Sequence, residues 1–275
     1  MTSSKDMRKP LRASLISRLK LADRPQSALG GVTIKISGSG SISEGRLNSS
    51  GSCSITGSIK AVSVKSSGSL RIGGDLEAGM FTASGSCRIG GSLSVKEARV
   101  SGSCMVGGAV KAETSFKSSG SLSVGGNITA GLLTCSGSVR AESVEARECY
   151  LSGSFHFRSV KCYEVFEAKL HGSSTVDGSI TAKTVSIKSR RGEGKGLRVV
   201  LLGITLIDVS RHGEKGSLSV DTISGEDIYL ENVCCRLVKG GRVYVGPGCK
   251  IERVEYTESL TVDPESSVNE QIKVS

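Results

Sequence analysis

Residues 85–102 read GSCRIGGSLSVKEARVSG, and this stretch decides the fold. Apolar residues alternate with polar ones in three pairs: Cys87 with Ile89, Leu93 with Val95, and Ala98 with Val100. Because successive side chains of a β-strand point to opposite faces, each pair predicts a short strand with one buried face. Gly90-Gly91 and Gly102 interrupt the alternation and predict corners. We expect Gly102 to face inward, where the lack of a Cβ lets the backbone bend.

The stretch is one unit of a repeat. The glycine of a Ser-Gly-Ser triplet recurs at Gly38, Gly51, Gly68, Gly85, Gly102, Gly120, Gly137 and Gly153, and a His-Gly-Ser variant follows at Gly172. The first interval, from Gly38 to Gly51, is short, and every later interval is close to that from Gly51 to Gly68. A nearly constant period of this length is typical of solenoid proteins and has no use in a linker.

Superimposed units give columns of similar residues. One column contains Ile55, Ile72, Ile89, Val106 and Val124, and another contains Leu76, Leu93, Val110 and Ile128. Such columns predict coils stacked in register, with each strand parallel to its equivalents above and below. We therefore predict an all-β fold, a parallel β-helix (β-solenoid) of about 17 residues per coil. The general preference for right-handed crossovers favours a right-handed coil.

The composition and the distribution of charge divide the chain into four segments. Gly, Ser and Pro make up 88 of 275 residues, which would indicate disorder without a period. The net charge of +10 is uneven, since residues 1–31 hold seven basic and two acidic groups, and residues 217–275 hold six basic and ten acidic groups. We predict a basic flexible segment at 1–31, regular repeats at 32–189, a loop and apolar insertion at 190–216, and diverged acidic coils at 217–275.

The insertion contains the longest apolar run, residues 199–207. Nine residues are too few to span a bilayer, which takes about 20. The run is apolar at successive positions, so both faces of a strand would be apolar. One interpretation is a strand buried on both sides beneath its own flanking loops. The other is an element that docks on a partner or contacts a membrane.

The N-terminal segment has an amphipathic pattern. Leucines recur every four residues with basic residues between them, in the set Leu11, Arg12, Leu15, Arg18, Leu19 and Lys20. This spacing predicts a short basic helix on an anionic membrane surface. A disordered basic arm is the alternative. Nucleic acid is disfavoured as a partner, because no aromatic residues are interleaved with the basic ones.

The cysteine pattern and the N-terminal sequence suggest the cellular compartment in which the protein resides. Nine cysteines occur without a CxxC pair, and the N-terminus lacks the apolar segment and cleavage pattern of a secretory signal. We therefore expect reduced thiols and a cytoplasmic protein, peripheral at the inner face of the membrane if the N-terminal segment binds there.

We expect no catalytic residue, no cofactor, no metal site and no small-molecule substrate. His156, His171 and His212 are scattered and suggest no catalytic triad. Residues 192–196 are rich in glycine but lack the GxxxxGK[ST] order of a phosphate-binding loop. The cysteines of the inward columns are read as small buried apolar residues. In the pair Cys234-Cys235 only one side chain can face inward.

The repeated Ser-Gly-Ser and Gly-Gly corners, the short Val/Ile/Leu strands and the scarcity of aromatic residues resemble the bactofilins, or polymer-forming cytoskeletal proteins. The resemblance covers about residues 32–187, and residues 217–268 are more similar to bactofilin-like proteins. It implies a right-handed, triangular β-helix that polymerises end to end without a nucleotide and that often associates with membranes through a short N-terminal segment. Family cores are usually shorter and have proline-rich tails, whereas this chain has four prolines.

These observations favour a non-enzymatic structural protein that forms filaments and acts as a scaffold at the membrane. The open coils at the ends of a parallel solenoid offer unpaired strand edges to another chain. One alternative is a membrane-associated binding scaffold that does not polymerise. A β-helix acyltransferase is another, but its hexapeptide repeat requires eighteen residues per coil and a catalytic histidine on a protruding loop, and the sequence suggests neither.

Overall fold

The computed structural model describes residues 34–189, 197–201, 204–209 and 216–274, which form β-strands and short turns without a helix. The strands are β1 (Ile34–Ser37), β2 (Gly40–Ser43), β3 (Arg46–Ser49), β4 (Ser52–Ile55), β5 (Ile59–Ser66), β6 (Ser69–Ile72), β7 (Leu76–Ile89), β8 (Leu93–Val106), β9 (Val110–Val124), β10 (Ile128–Arg140), β11 (Ser143–Phe157), β12 (Ser159–Leu170), β13 (Ser173–Thr181), β14 (Thr184–Ser189), β15 (Leu197–Leu201), β16 (Ile204–Val209), β17 (Ser217–Leu230), β18 (Val233–Val245), β19 (Lys250–Val262) and β20 (Ser267–Lys273).

The predicted fold class is confirmed, because the strands build a parallel β-solenoid of about 12 turns with roughly 17 residues per turn. Each turn has three sides, which β8 illustrates. Its buried side chains come in three pairs, Leu93 with Val95 on the first side, Ala98 with Val100 on the second, and Cys104 with Val106 on the third. The residues between them are polar or glycine, apart from the exposed Met105, so the apolar core runs along the axis.

The predicted columns lie in register inside this solenoid. Ile55, Ile72, Ile89, Val106 and Val124 are successive partners on the third side, and Leu76, Leu93, Val110 and Ile128 are successive partners on the first. All nine side chains are at most 4% exposed. Because each turn presents similar side chains to the next, the packing repeats along the axis, and each turn is stabilised mainly by its neighbours.

The Ser-Gly-Ser corners separate the second side from the third, and Gly102 is exposed there instead of facing inward as expected. Its φ is +109°, which residues with a side chain rarely adopt. A Cβ on Gly102 would lie 2.4 Å from the carbonyl oxygen of Gly85 in the preceding turn. Gly120, Gly137 and Gly153 continue the same in-register column. Glycine is therefore needed for the φ angle and for the close approach of successive turns.

The first two strands run against the direction of the coils. β2 pairs antiparallel with β3, and β1 pairs antiparallel with β4. Glu44 and Gly45 connect β2 to β3 with φ angles of +50° and +73°, and two successive positive angles are typical of a tight hairpin turn. Residues 34–43 therefore fold back over the second and third sides of the first turn, and they depart from the regular repeat expected throughout 32–189.

The solenoid continues after the insertion in the same register. β17 pairs in parallel with β13 and β14, and Val176 lies opposite Val220. The hydroxyl of Ser189 donates a hydrogen bond to the carbonyl oxygen of Gly216 at 2.9 Å, so the two ends of the insertion meet at a corner. Within the insertion, β15 and β16 pair antiparallel in a sheet of their own. The apolar run is thus divided between two hairpin strands and is not a single strand of the solenoid.

A buried serine predicts a stabilising substitution. Ser118 is 6% exposed, and its hydroxyl has no hydrogen-bond partner within the described ranges. A buried hydroxyl without a partner costs about 1–3 kcal/mol. We therefore expect Ser118→Ala to raise the free energy of unfolding by about 1 kcal/mol, measured by thermal and urea denaturation. The exposed neighbour Ser119 is the control, because Ser119→Ala should change stability by less than about 0.5 kcal/mol. A destabilised Ser118→Ala variant would contradict the expectation.

Candidate functional site at the two ends of the solenoid

The C-terminal end of the solenoid has open strand edges. β20 pairs only with β19 among the described strands, and residues 259–262 of β19 pair only with β18. The last turn therefore has unpaired backbone groups on all three sides. Tyr256, Leu260, Val262 and Val268 pack against the core but are only partly buried, and Val274 is 42% exposed. An apolar surface with free strand edges covers this end.

The N-terminal end has the same two properties with a different backbone. β1 and β2 each have one described partner, β4 and β3, so the other edge of each strand is unpaired within the described residues. Ile34, Ile36, Ile42 and Ala61 are the partly buried core residues at this end, and Val62 is 59% exposed. β1 and β2 form an antiparallel cap over the first turn of the solenoid. The cap has free strand edges of its own, and the apolar surface at this end remains partly exposed.

The sides of the solenoid carry polar groups that pair with groups of the neighbouring turns. Arg242 bridges turns, with Nε donating to Asp227 Oδ1 at 2.6 Å and Nη1 donating to Glu258 Oε2 at 2.9 Å. The bond from Arg242 lowers the pKa of Asp227. The rings of Tyr229 and Tyr244 stack with centroids 5.0 Å apart. Because these groups are satisfied within the chain, they offer less to a partner chain than the unpaired strand edges at the ends do.

The described residues contain no cluster of three or more metal-ligating side chains. His156 is exposed on a strand, with Nε2 3.8 Å from Asp177 Oδ2, and is not on a protruding loop. His212 lies outside the described residues, as does the predicted membrane segment with Leu11, Arg12, Leu15, Arg18, Leu19 and Lys20. Within the ranges given above, no helix has the length and hydropathy needed to cross a bilayer.

The cysteines differ in exposure. Eight of the nine are buried and only Cys234 is exposed, so the adjacent Cys234 and Cys235 point to opposite faces as the alternation predicts. Burial raises the pKa of Cys235 and of Cys135 to about 12. A hydrogen bond with Cys104 in the next turn raises the pKa of Cys87. A raised pKa keeps a thiol protonated and unreactive, because the thiolate is the nucleophile.

This arrangement predicts one fast thiol. At pH 8 the native chain is expected to react rapidly with one equivalent of a thiol reagent at Cys234, and with the other eight only after unfolding. Mass spectrometry of the labelled protein identifies the site. Cys234→Ser should remove the fast phase, whereas the control Cys235→Ser should keep it. Rapid labelling of two or more thiols in the native chain would contradict the described burial.

Sequence reasoning did not single out the end residues. Ile34, Ile36, Leu260 and Val262 follow the same alternation as core residues, so the pattern alone does not mark them as incompletely buried. One signal was present at the N-terminal end. The first Ser-Gly-Ser interval, from Gly38 to Gly51, is shorter than all the later ones, and this short interval spans the hairpin turn.

Comparisons with known proteins identify partial relatives. The chain is 38% identical over 78 residues to the uncharacterized protein YhbF of Bacillus subtilis (strain 168), a match that covers 26% of this chain and 33% of that protein. It is 31% identical over 105 residues to the uncharacterized protein YhbE of the same organism, covering 36% and 44% respectively. The chain thus spans less than half the length of these relatives. No family model matches the chain, and no solved structure matches it significantly.

Proposed function

We propose that this chain is a non-enzymatic structural protein whose solenoids join end to end into filaments without a nucleotide. The observation that carries the proposal is the position of the incompletely buried core side chains. Among the residues that the structure describes, those that pack against the core lie at the two ends, four at each end. Free strand edges beside apolar side chains favour the addition of another chain, and a contact between ends that does not close on itself gives an open filament.

The repeat supports the same function. The in-register columns make every turn similar to the next, so the end of one solenoid offers a surface of the kind that a further turn would cover. The resemblance of the Ser-Gly-Ser and Gly-Gly corners to those of bactofilins also favours a cytoskeletal, polymer-forming role.

A membrane contact belongs to the proposal as well. Residues 1–31 have a net charge of +5, from seven basic and two acidic groups. Each basic group near an anionic bilayer contributes about 1 kcal/mol of attraction. The segment would hold the filament at the cytoplasmic face of the membrane, where the filament would act as a scaffold.

Sedimentation velocity of the purified chain tests self-assembly. Species larger than the monomer are expected to increase with protein concentration, in buffers with and without ATP or GTP, since the proposed contact uses no nucleotide. A single monomeric species at every concentration and salt level would overturn the proposal.

A second candidate is a scaffold that binds membranes through the basic segment and does not polymerise. The excess of basic groups in residues 1–31 favours it. Deleting these residues separates the two functions. The deletion should leave assembly intact if the solenoid ends make the contact, whereas a non-polymerising scaffold would lose vesicle binding and show no assembly before or after the deletion.

A further inference from the structure

The outward side chains on the third side of the solenoid form a column that holds no Asp or Glu from β1 to β20. Each member lies opposite the next in the strand register, and together they make up the third-side column: Lys35, Ser54, Arg71, Arg88, Met105, Ser123, Arg140, His156, Thr175, Ser219, Cys234, Lys250 and Ser267. The first side differs. There, Lys60 with Glu77 and Lys239 with Glu255 are register partners of opposite charge, and each pair forms an ion pair.

The arginines of the third-side column lack such partners. The arginines that form ion pairs within the described residues are Arg99, Arg147, Arg158, Arg236, Arg242 and Arg253. Arg71, Arg88 and Arg140 are exposed and are not among them. Arg71 and Arg88 also lie directly opposite each other, and like charges in this arrangement destabilise a sheet. An anionic partner on this side would offset their repulsion.

The third side is also even in height. Small residues line its two edges, and they are Ser86, Ser103 and Ser121 on one edge and Gly90, Gly107 and Gly125 on the other. The long side chains of the column therefore project beyond their surroundings. Arg71 and Arg140 lie four strand spacings apart, about 19 Å, and Met105, 44% exposed, lies between them. The side thus presents basic groups around one apolar side chain.

We propose that the third-side column binds the surface of an anionic bilayer. Anionic headgroups attract basic groups that lie near the surface, and a straight column on an even side lets Arg71, Arg88 and Arg140 reach a planar surface together. Met105 would enter the boundary between headgroups and acyl chains, where apolar side chains gain by leaving water.

Two other anionic partners fit this side less well. A second copy of the chain would have to offer its acidic C-terminal coils, but their carboxylates bind bases of the same chain, as Asp221 does with Arg236 at 2.7 Å and Asp227 with Arg242 at 2.6 Å. Single-stranded nucleic acid is held by stacking on aromatic residues, and the third-side column contains no Phe, Tyr or Trp. A duplex admits a helix or a two-stranded ribbon into its major groove, and a flat solenoid side is neither.

This contact adds a second membrane surface to the proposed function. It uses residues of the solenoid itself, so it requires neither the N-terminal segment nor assembly. Its failure would leave the end-to-end contact untouched.

Vesicle binding of the full chain tests the inference. The probes are vesicles of phosphatidylcholine alone and vesicles in which one lipid in three is phosphatidylglycerol. The loss of each basic group near an anionic surface lowers affinity about fivefold. We therefore expect the double variant Arg71→Gln with Arg88→Gln to bind anionic vesicles at least tenfold more weakly than the natural chain.

The matched control removes the same charge from elsewhere. Lys96 and Lys111 are exposed and lie outside the third side, so Lys96→Gln with Lys111→Gln should bind within about twofold of the natural chain, since these groups would face away from the bilayer. Circular dichroism should show unchanged strand content in both double variants. Equal weakening by the two would show that binding follows net charge alone, and this would overturn the inference.

A spectroscopic readout locates the contact. The chain contains no Trp, so Met105→Trp introduces one fluorophore into the third-side column. Its emission is expected to shift to the blue on adding anionic vesicles, and brominated acyl chains should quench it. Ser94→Trp, at an exposed position of the first side on the same strand β8, should show neither effect. Unchanged emission from Met105→Trp would contradict the inference.

The same preparations distinguish the other outcomes. If the arginine double variant loses binding to double-stranded DNA but binds vesicles as the natural chain does, the column binds nucleic acid and the membrane inference is wrong. It is equally wrong if this variant loses self-association in sedimentation without lipid, because a second copy then covers the column. If the natural chain binds vesicles through the column but shows no self-association, the inference stands and the proposed filament function fails.

Discussion

Gly102→Ala is expected to lower the free energy of unfolding by about 3–5 kcal/mol. An alanine at a φ of +109° adopts a conformation that is strained for any residue with a side chain. In addition, its Cβ would lie 2.4 Å from the carbonyl oxygen of Gly85, and forcing extra atoms into a packed site typically costs about 1–3 kcal/mol. Because both groups in this contact belong to the backbone, no side chain can move aside. The clash can be relieved only if the two turns move apart. Thermal and urea unfolding measure the loss.

A second glycine provides the matched control. Gly172 lies in the His-Gly-Ser corner, has no positive φ, and a Cβ on it would meet its nearest neighbour, Ser154 Cβ, at 3.9 Å. The same change, Gly172→Ala, should therefore alter stability by less than about 0.5 kcal/mol. Equal losses at Gly102 and Gly172 would show that the spacing of turns does not explain the glycine column.

Leu260→Asp is expected to raise the concentration needed for self-association at least tenfold. Leu260 follows Ile228 and Val243 in one inward column of the last turns, and it is only partly buried because no further turn covers it. In a contact between ends, this side chain would become buried. Burying a leucine contributes about 1.5–3 kcal/mol, and a buried carboxylate costs more, whereas about 1.4 kcal/mol corresponds to a tenfold change. Sedimentation over a concentration series measures it.

The control places the same charge on a side of the solenoid. Ser94 is exposed on β8, away from both ends of the solenoid, so Ser94→Asp should self-associate as the natural chain does. Circular dichroism should show that both variants keep their strand content. Assembly of Leu260→Asp at the concentration of the natural chain would exclude the C-terminal end from the contact.

The fold could be predicted from the sequence because the two patterns that indicate it are both periodic. Alternation within a unit identifies the strands, and the recurrence of Ile55, Ile72 and Ile89 at a constant interval gives the register of the coils. The glycine corners were identified as well, but the reason for them was not. The positive φ angle of Gly102 and its close approach to Gly85 depend on how closely successive coils stack. The sequence of a single repeat unit carries no information on that spacing.

The antiparallel cap could not be predicted from the same pattern. Apolar and polar residues alternate identically whether a strand runs parallel or antiparallel to its neighbour. Ile34 and Ile36 alternate with polar residues whether β1 runs with or against β4. The short first interval was the sequence signal for this hairpin. Its two glycines, Gly38 and Gly51, lie at nearly equal distances along the chain from the Glu44-Gly45 turn. The run at 199–207 was ambiguous for another reason, because a run that is apolar on both faces fits one buried strand or two paired ones.

Electron microscopy of the purified full chain tests the proposed end-to-end assembly most directly. About 12 turns at the strand spacing of roughly 4.8 Å give each chain a length of about 58 Å along the axis. Without nucleotide or lipid, the images should show filaments one solenoid wide, many times longer than this length, that grow with protein concentration. Isolated rods of about 58 Å at every concentration and salt level would contradict it.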